Sequence, residues 1–254
     1  TKNKKIIIPA TIIECPPLKI FSIRFFKEKK LITEIISQNV DKELKKKIKI
    51  PKTPIKKLDD IKNYDDISII AYSDVKKTSI KKSPDMVEIA LGGTLNEKIS
   101  FVKEHLIKEI KIGDVFDKLQ LVDIRAVTKG KGFQGAVKRF GIGLRSHKAE
   151  KGRRRPGSLG PWHPSRVTFR VPQAGQTGLF TRVNYNNKIL DLGNINDNNI
   201  NPPQGFKHFG NIQSEFLVIS GSIQGPPKRA LVLTQSLRPT KKQFKKSYEV
   251  ISIR

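Results

Sequence analysis

Short runs of β-branched and aromatic residues recur along most of the chain. Ile6–Ile13, Leu18–Phe26, Leu119–Thr128, Arg182–Leu192, Glu215–Ile219, Ala230–Thr234 and Tyr248–Ile253 are each rich in Ile, Val or Phe. Gly, Pro and Asn separate many of them, and that punctuation predicts the short strands of an all-β sandwich or barrel. One stretch has a different period. Leu95, Ile99, Val102, Leu106 and Ile110 recur every three to four residues, which predicts an amphipathic helix over Leu95–Ile110. Residues 41–82 mix Lys, Asp and Ser with isolated Ile and read as a helical or irregular surface insertion. Phe25 and Phe26 are assigned to core packing rather than to a ligand, and no internal repeat is found.

From residue 129 to 182 neither period holds. This segment contains ten glycines, together with Pro156, Pro161, Pro164 and Pro172. Glycine at that density opposes a long helix, and each proline removes a backbone donor. Irregular segments of this length are normally functional or disordered. If the segment leaves and returns as two arms, full extension of each allows a reach of roughly 90 Å, with the apex near Pro156–Trp162. The organisation predicted is therefore barrel strands over 1–35, a partly helical insertion over 36–118 and a further barrel strand over 119–128. A basic central extension over 129–182 follows, and barrel strands return over 183–254. The fold class is mainly β: a β-barrel body with a long irregular glycine-rich basic extension and a small helical insertion.

Charge sharpens this picture. The 254 residues carry a net charge of +27, with hydrophobic residues at 37%, below the usual share for a compact chain. Residues 125–182 hold 14 basic side chains against one acid, Glu150, whereas residues 1–124 hold 26 basic and 18 acidic ones. A nearly pure cationic segment repels itself until something anionic neutralises it, so 129–182 is expected to order only against a partner. No apolar run approaches the roughly 20 residues of a membrane-spanning helix, and the basic opening Thr1–Lys5 does not lead into a signal peptide. Cys15 is the single cysteine, which leaves no disulfide and fits an intracellular setting. The first residue is Thr rather than Met, as expected of a processed or partial chain.

Several motifs point elsewhere and are set aside on their chemistry. Gly130-Lys-Gly-Phe-Gln-Gly135 matches G-x-G-x-x-G, but a dinucleotide site needs a sustained helix from the third glycine and an acid about 20 residues on. Here Gly141 and Gly143 follow quickly, and the acid is Glu150 within a basic run. No H-R-D or D-F-G accompanies the glycines, and no G-x-S-x-G occurs. His105, His147, His163 and His208 have no metal-ligand spacing; His105 reads as a helix-surface residue. No catalytic residue, metal or cofactor is assigned. What remains is a nucleic-acid surface. Lys129, Lys131, Lys138 and Arg139 accompany glycines that let a phosphate chain approach the backbone. Arg145, His147, Lys148, Lys151, Arg153, Arg154 and Arg155 form the densest cluster, and Trp162, His163, Arg166 and Arg170 follow it. Guanidinium forks suit phosphates and indole faces suit unstacked bases. A DNA-compacting or general basic nucleic-acid-binding protein is the alternative, but compaction does not explain an ordered glycine–proline–tryptophan sequence.

Three strings in this segment carry a family resemblance: Val127-Thr-Lys-Gly-Lys-Gly-Phe-Gln-Gly-Ala-Val-Lys-Arg-Phe-Gly, Arg153-Arg-Arg-Pro-Gly-Ser-Leu-Gly-Pro-Trp-His-Pro-Ser-Arg-Val and Val171-Pro-Gln-Ala-Gly-Gln-Thr-Gly. In that order they resemble the universal large-subunit ribosomal protein family L-three, and the Gly-Pro-Trp-His-Pro form resembles its archaeal type, with the eukaryotic type close behind. Weaker similarity covers Pro9–Phe26, Asp85–Gly93 and Asn184–Gly193 to the C-terminus, while residues 36–82 match poorly. The resemblance implies a cytoplasmic, ribosomal location and a β-barrel body whose central extension threads between rRNA helices towards the peptidyl transferase centre. Trp162 would lie near the tip. It implies a role in rRNA folding and subunit assembly rather than catalysis. The partners implied are large-subunit rRNA and neighbouring proteins of the L-fourteen and L-twenty-four families, with no membrane and no small-molecule substrate. Members of the family usually start several dozen residues earlier, with a Lys-Ala-Gly-Met-Thr segment that this chain lacks. Many also carry His or Arg where this chain has Glu150.

Overall fold

A computed structural model describes residues 4–38, 40–50, 58, 61, 63–78 and 80–253. The chain divides into two compact units. The first comprises Thr1–Asp123, Asn186–Ser222 and Thr234–Arg254, and the second comprises Ile124–Tyr185 and Ile223–Leu233. Among the described residues the fold is mainly β, with three sheets. Strands β1 (Ala10–Cys15), β2 (Leu18–Lys27), β3 (Lys30–Ile36), β4 (Asp66–Ser73) and β5 (Met86–Ala90) precede helix α1 (Leu95–His105). Then come β6 (Leu121–Val127), β7 (Gly132–Gln134), the short helix α2 (Ala136–Phe140), β8 (Gly175–Thr177) and β9 (Thr181–Asn194). Strands β10 (Glu215–Ser220) and β11 (Val232–Gln235) and the helical turn α3 (Lys241–Phe244) complete the order. The sheets run β1-β10-β9-β6-β11, β3-β2-β4-β5 and β7-β8. Each has two edges, so the expected closed barrel is not formed among the described residues.

The four-stranded sheet corrects the reading of residues 41–82 as a surface insertion. Asp66-Ile-Ser-Ile-Ile-Ala-Tyr-Ser73 is β4, paired antiparallel with β2 on one side and β5 on the other. Residues 51–57, part of the same expectation, lie outside the described residues. Ile67 and Ile69 face α1 in a cluster with Ile23, Phe25, Ile35 and Val102. Tyr72 turns to the opposite side and packs with Phe21 and Leu44. Because the strand is covered on both sides, its apolar residues do not keep strict alternation, and the pattern is hard to recognise beside charged neighbours. A register shift between Ile20 and Ser22 on β2 serves the same core. With the extra residue, Ile20 and Ile23, three apart, both join the α1-side cluster. Phe25 is buried and meets Tyr64 edge-on at 4.8 Å, in line with its assignment to the core.

Helix α1 starts where the Glu97 carboxylate accepts the Thr94 backbone N–H at 2.9 Å, half of a capping box. It is shorter than the periodicity suggests. Ile110 leaves the helix and exchanges two backbone hydrogen bonds with Leu18, both 2.9 Å, so the last apolar position of the pattern is satisfied by a strand. His105 is buried rather than on the helix surface, 4.3 Å from the Phe101 ring centroid. In the five-stranded sheet β1 pairs antiparallel with β10 from Ala10↔Ser220 to Cys15↔Glu215. Leu190, Ile212, Phe216 and Val218 form its core cluster. Tyr248–Ile253, expected as a strand, forms no ladder, and Ile251 and Ile253 are exposed.

Several cations of this first unit are matched by carboxylates. Lys19 reaches Asp74 at 3.0 Å, Asp41 at 3.1 Å and Glu109 at 3.6 Å. Burial alone would lower the Lys19 ammonium, but hydrogen bonds to Asp74 and Asp41 hold it above the usual lysine range. Burial opposes the charge of Asp41 too, yet Lys19 and the Tyr72 hydroxyl keep its carboxyl below the ordinary range. Across β2, β3, β4 and β5, Arg24 bridges Glu34 at 3.2 Å and Glu88 at 2.7 Å.

Candidate nucleic-acid interface

The second unit contains the glycine-rich segment. Its outgoing and returning ends pair locally. Gly132, Phe133 and Gln134 of β7 lie opposite Thr177, Gln176 and Gly175 of β8. Thr128 N donates to Phe180 O at 2.9 Å and Lys131 N to Thr177 O at 2.8 Å. Gly178, at φ +77°, lies so close to Lys129 and Gly130 that a Cβ would collide with the Lys129 carbonyl. Only glycine satisfies both the left-handed backbone and that approach.

The third glycine of G-x-G-x-x-G caps a helix, but α2 has only five residues and ends at Gly141 with φ +68°, so the sustained helix of a dinucleotide site is absent. The preceding strand, β7, lies inside the motif itself. A dinucleotide site, with a parallel strand leading into a long helix, is not built here. Ala136 is buried, and Arg139 crosses from the helix to the returning chain. Its Nε donates to Gln176 O at 3.2 Å and its Nη1 to Gln173 O at 3.0 Å, with the guanidinium 5.0 Å from the centre of the Phe140 ring.

From Gly141 to Pro172 there is no strand or helix among the described residues. Order comes from arginine instead. Arg145 N donates to Arg153 O and Arg153 Nε to Arg145 O, both at 3.1 Å. The Arg145 guanidinium also donates to Pro156 O and, at 3.3 Å, to Gly157 O. These bonds close a loop from 145 to 157 that holds Lys148, Lys151, Arg153, Arg154 and Arg155. An open cleft of about 260 Å³ is lined by Arg145, Lys151, Arg155, Pro156, Gly157 and Leu159.

The fifteen residues assigned from sequence fall into two groups. Arg139 and Arg145 are half-buried, and their guanidiniums are spent on the segment's own carbonyls. Lys129, Lys131, Lys138, His147, Lys148, Lys151, Arg153, Arg154, Arg155, Trp162, His163, Arg166 and Arg170 are exposed. Among the described residues no carboxylate pairs with any of these cations, in contrast to Lys19, Lys98 or Lys118 of the first unit. Glu150 is exposed and makes no ion pair with Lys151 or Arg153. Trp162 is 85% exposed. Two further aromatics share that condition without having been singled out: Phe133 at 77% and Phe169 at 95%. Their signal in the sequence was an aromatic residue interleaved with cations where no core periodicity could use it. No helix among the described residues is long and apolar enough to cross a membrane.

Comparison with known proteins agrees with the three motif strings. The family model for ribosomal protein L3 matches residues 1–253. Large ribosomal subunit protein uL3 of Methanocaldococcus jannaschii is 41% identical over 93% of this chain and 75% of its own length. The uL3 proteins of Methanobrevibacter smithii and Archaeoglobus fulgidus are 38% and 36% identical, over 95% and 96% of this chain and 76% and 77% of theirs. The class is that of structural, non-enzymatic proteins of the large ribosomal subunit, in its archaeal form. The chain belongs to the ribosomal protein L3 family.

Proposed function

We propose that this protein binds large-subunit rRNA through residues 129–182, aids assembly of the subunit and supports the geometry of the peptidyl transferase centre. The observation that carries the reading is the set of exposed cations without carboxylate partners on a backbone that arginine has tied into shape. Unpaired guanidinium and ammonium groups neutralise phosphates. The three most exposed aromatics, Phe133, Trp162 and Phe169, offer faces for unstacked bases. Arg139 and Arg145 shape the surface rather than meeting phosphate, and Arg153 does both, with its Nε on Arg145 O and the rest of its exposed guanidinium turned to a partner. In this role the segment is the central extension of the protein, with Trp162 near its tip, and its protein neighbours are members of the L-fourteen and L-twenty-four families.

The test is binding of isolated archaeal large-subunit rRNA by the intact protein across a salt series. Replacing Arg153, Arg154 and Arg155 together by Gln is expected to reduce the slope of log affinity against log salt by about 2–3, at roughly 0.7–0.9 per phosphate contact. An unchanged slope would place those arginines away from phosphate and refute the reading of this cluster.

A further inference from the structure

A second run of cations lies outside the central segment. Arg238, Lys241, Lys242, Lys245 and Lys246 fall within nine residues that contain no carboxylate. All five are exposed. None is ion-paired among the described residues, although elsewhere in the same unit Lys76, Lys77, Lys98 and Lys118 have carboxylate partners. Hydrophobic burial does not fix this stretch, because Leu237 is 82% exposed and Phe244 69%. A polar clasp holds it instead. Lys188 on β9 is 5% exposed, and its ammonium donates to the carbonyls of Phe244, at 3.4 Å, and Lys246. The same ammonium lies 5.9 Å from the centre of the Tyr248 ring. Asn186 adds a second hold: its Oδ1 accepts from Ser236 Oγ at 2.8 Å and from Thr240 N at 3.2 Å.

This arrangement is costly unless it serves something. A buried ammonium without a carboxylate must be compensated by carbonyls and a ring face; burial, then the charge of Lys246, lowers its pKa. The turn it holds brings Lys241 and Lys245 one helical turn apart, since Lys245 N donates to Lys241 O at 3.3 Å, with Lys242 and Lys246 flanking them in sequence. Like charges four residues apart on a turn repel. An extended polyanion relieves that repulsion. Lysines act as point charges rather than bidentate forks, which suits a sugar–phosphate backbone read without regard to sequence.

We propose that residues 238–246 form a second phosphate-binding surface for the backbone of rRNA, and that Lys188 is the positioning residue that keeps it in shape. The proposal rests on the rRNA-binding reading of the chain, but on residues that the central segment does not include. The intact protein is titrated with isolated archaeal large-subunit rRNA over a salt series, alongside the fourfold variant K241Q/K242Q/K245Q/K246Q. The fourfold change is expected to reduce the salt slope by about 3, from four phosphates at roughly 0.7–0.9 each, and to add to the effect of the Arg153–Arg155 triple variant. An unchanged slope in the fourfold variant overturns this proposal and leaves the central segment standing if the arginine variant still lowers it. A reduced slope in the fourfold variant with none in the arginine variant supports this surface and removes the central one. Lys188→Met leaves all four exposed lysines in place. It is expected to keep the slope while weakening binding at every salt concentration and speeding tryptic cleavage between Lys241 and Lys246. Unchanged affinity and cleavage would overturn the positioning role.

Discussion

Replacing Trp162 by alanine separates a residue that holds the protein together from one that meets a partner. The indole is 85% exposed. A fully buried tryptophan removes up to about 250 Å² from water, so the sixth of its surface covered here is about 40 Å². At roughly 25 cal/mol per Å² that burial contributes about 1 kcal/mol at most. Ile69, 1% exposed between β2, β5 and α1, provides the contrast: Ile69→Ala is expected to cost about 2–5 kcal/mol. On RNA the order reverses. Loss of a stacked aromatic weakens single-strand binding by about 1–3 kcal/mol, or roughly 5- to 150-fold, whereas Ile69 touches no proposed contact. Thermal unfolding of the two free variants should therefore show a small shift for Trp162→Ala and a large one for Ile69→Ala. Purified subunits carrying Trp162→Ala should assemble and show altered peptidyl transfer. A large drop in melting temperature for Trp162→Ala, with normal rRNA affinity and subunit activity, would mean that the indole packs within the protein and would refute the assignment.

Arg139→Gln removes the two bonds to Gln173 O and Gln176 O, and at about 1.5–3 kcal/mol for hydrogen bonds made by a charged group it should loosen the β7–β8 pair. Faster hydrogen exchange at Gly175–Thr177, not rescued by Arg139→Lys because an ammonium lacks the planar fork, is the expected result; unchanged exchange would show the clasp to be dispensable. The Lys19 network should give the first unit a pH dependence. Asp41, held below its ordinary value of 3.8, contributes stability that is present above that value and lost as the pH falls through its lowered one. Lys19, held above 10.5, contributes stability present below that value and lost as the pH rises through its raised one. Urea unfolding of Lys19→Met should therefore show a deficit against wild type at neutral pH that shrinks once the pH drops below 3.8; a deficit constant through the acid range would contradict the pairing.

Much of the candidate site was legible without a structure, and the physical reason is charge. Cations cannot be buried without partners, so a segment with 14 basic residues and one acid had to remain at the surface. Its glycines and prolines had to leave it irregular. The strand runs at Leu18–Phe26, Arg182–Leu192 and Glu215–Ile219 were legible for a similarly local reason, since β-branched and aromatic side chains suit a pleated, half-buried surface. Long-range contacts decided the rest. Ile67 and Ile69 become core only because β2 and β5 lie on either side of them, and Ile110 leaves its helical pattern only because Leu18 offers a backbone partner. Composition marks Arg139 and Arg145 as cations like their neighbours; the returning chain places carbonyls within reach and turns them from candidate ligands into internal clasps. Lys188 looks like any surface lysine until the chain 56–58 residues further on folds back over it. The number and sign of the charges are properties of the sequence by itself, but which of them stay free for a partner depends on the carbonyls and carboxylates that tertiary contacts bring beside them.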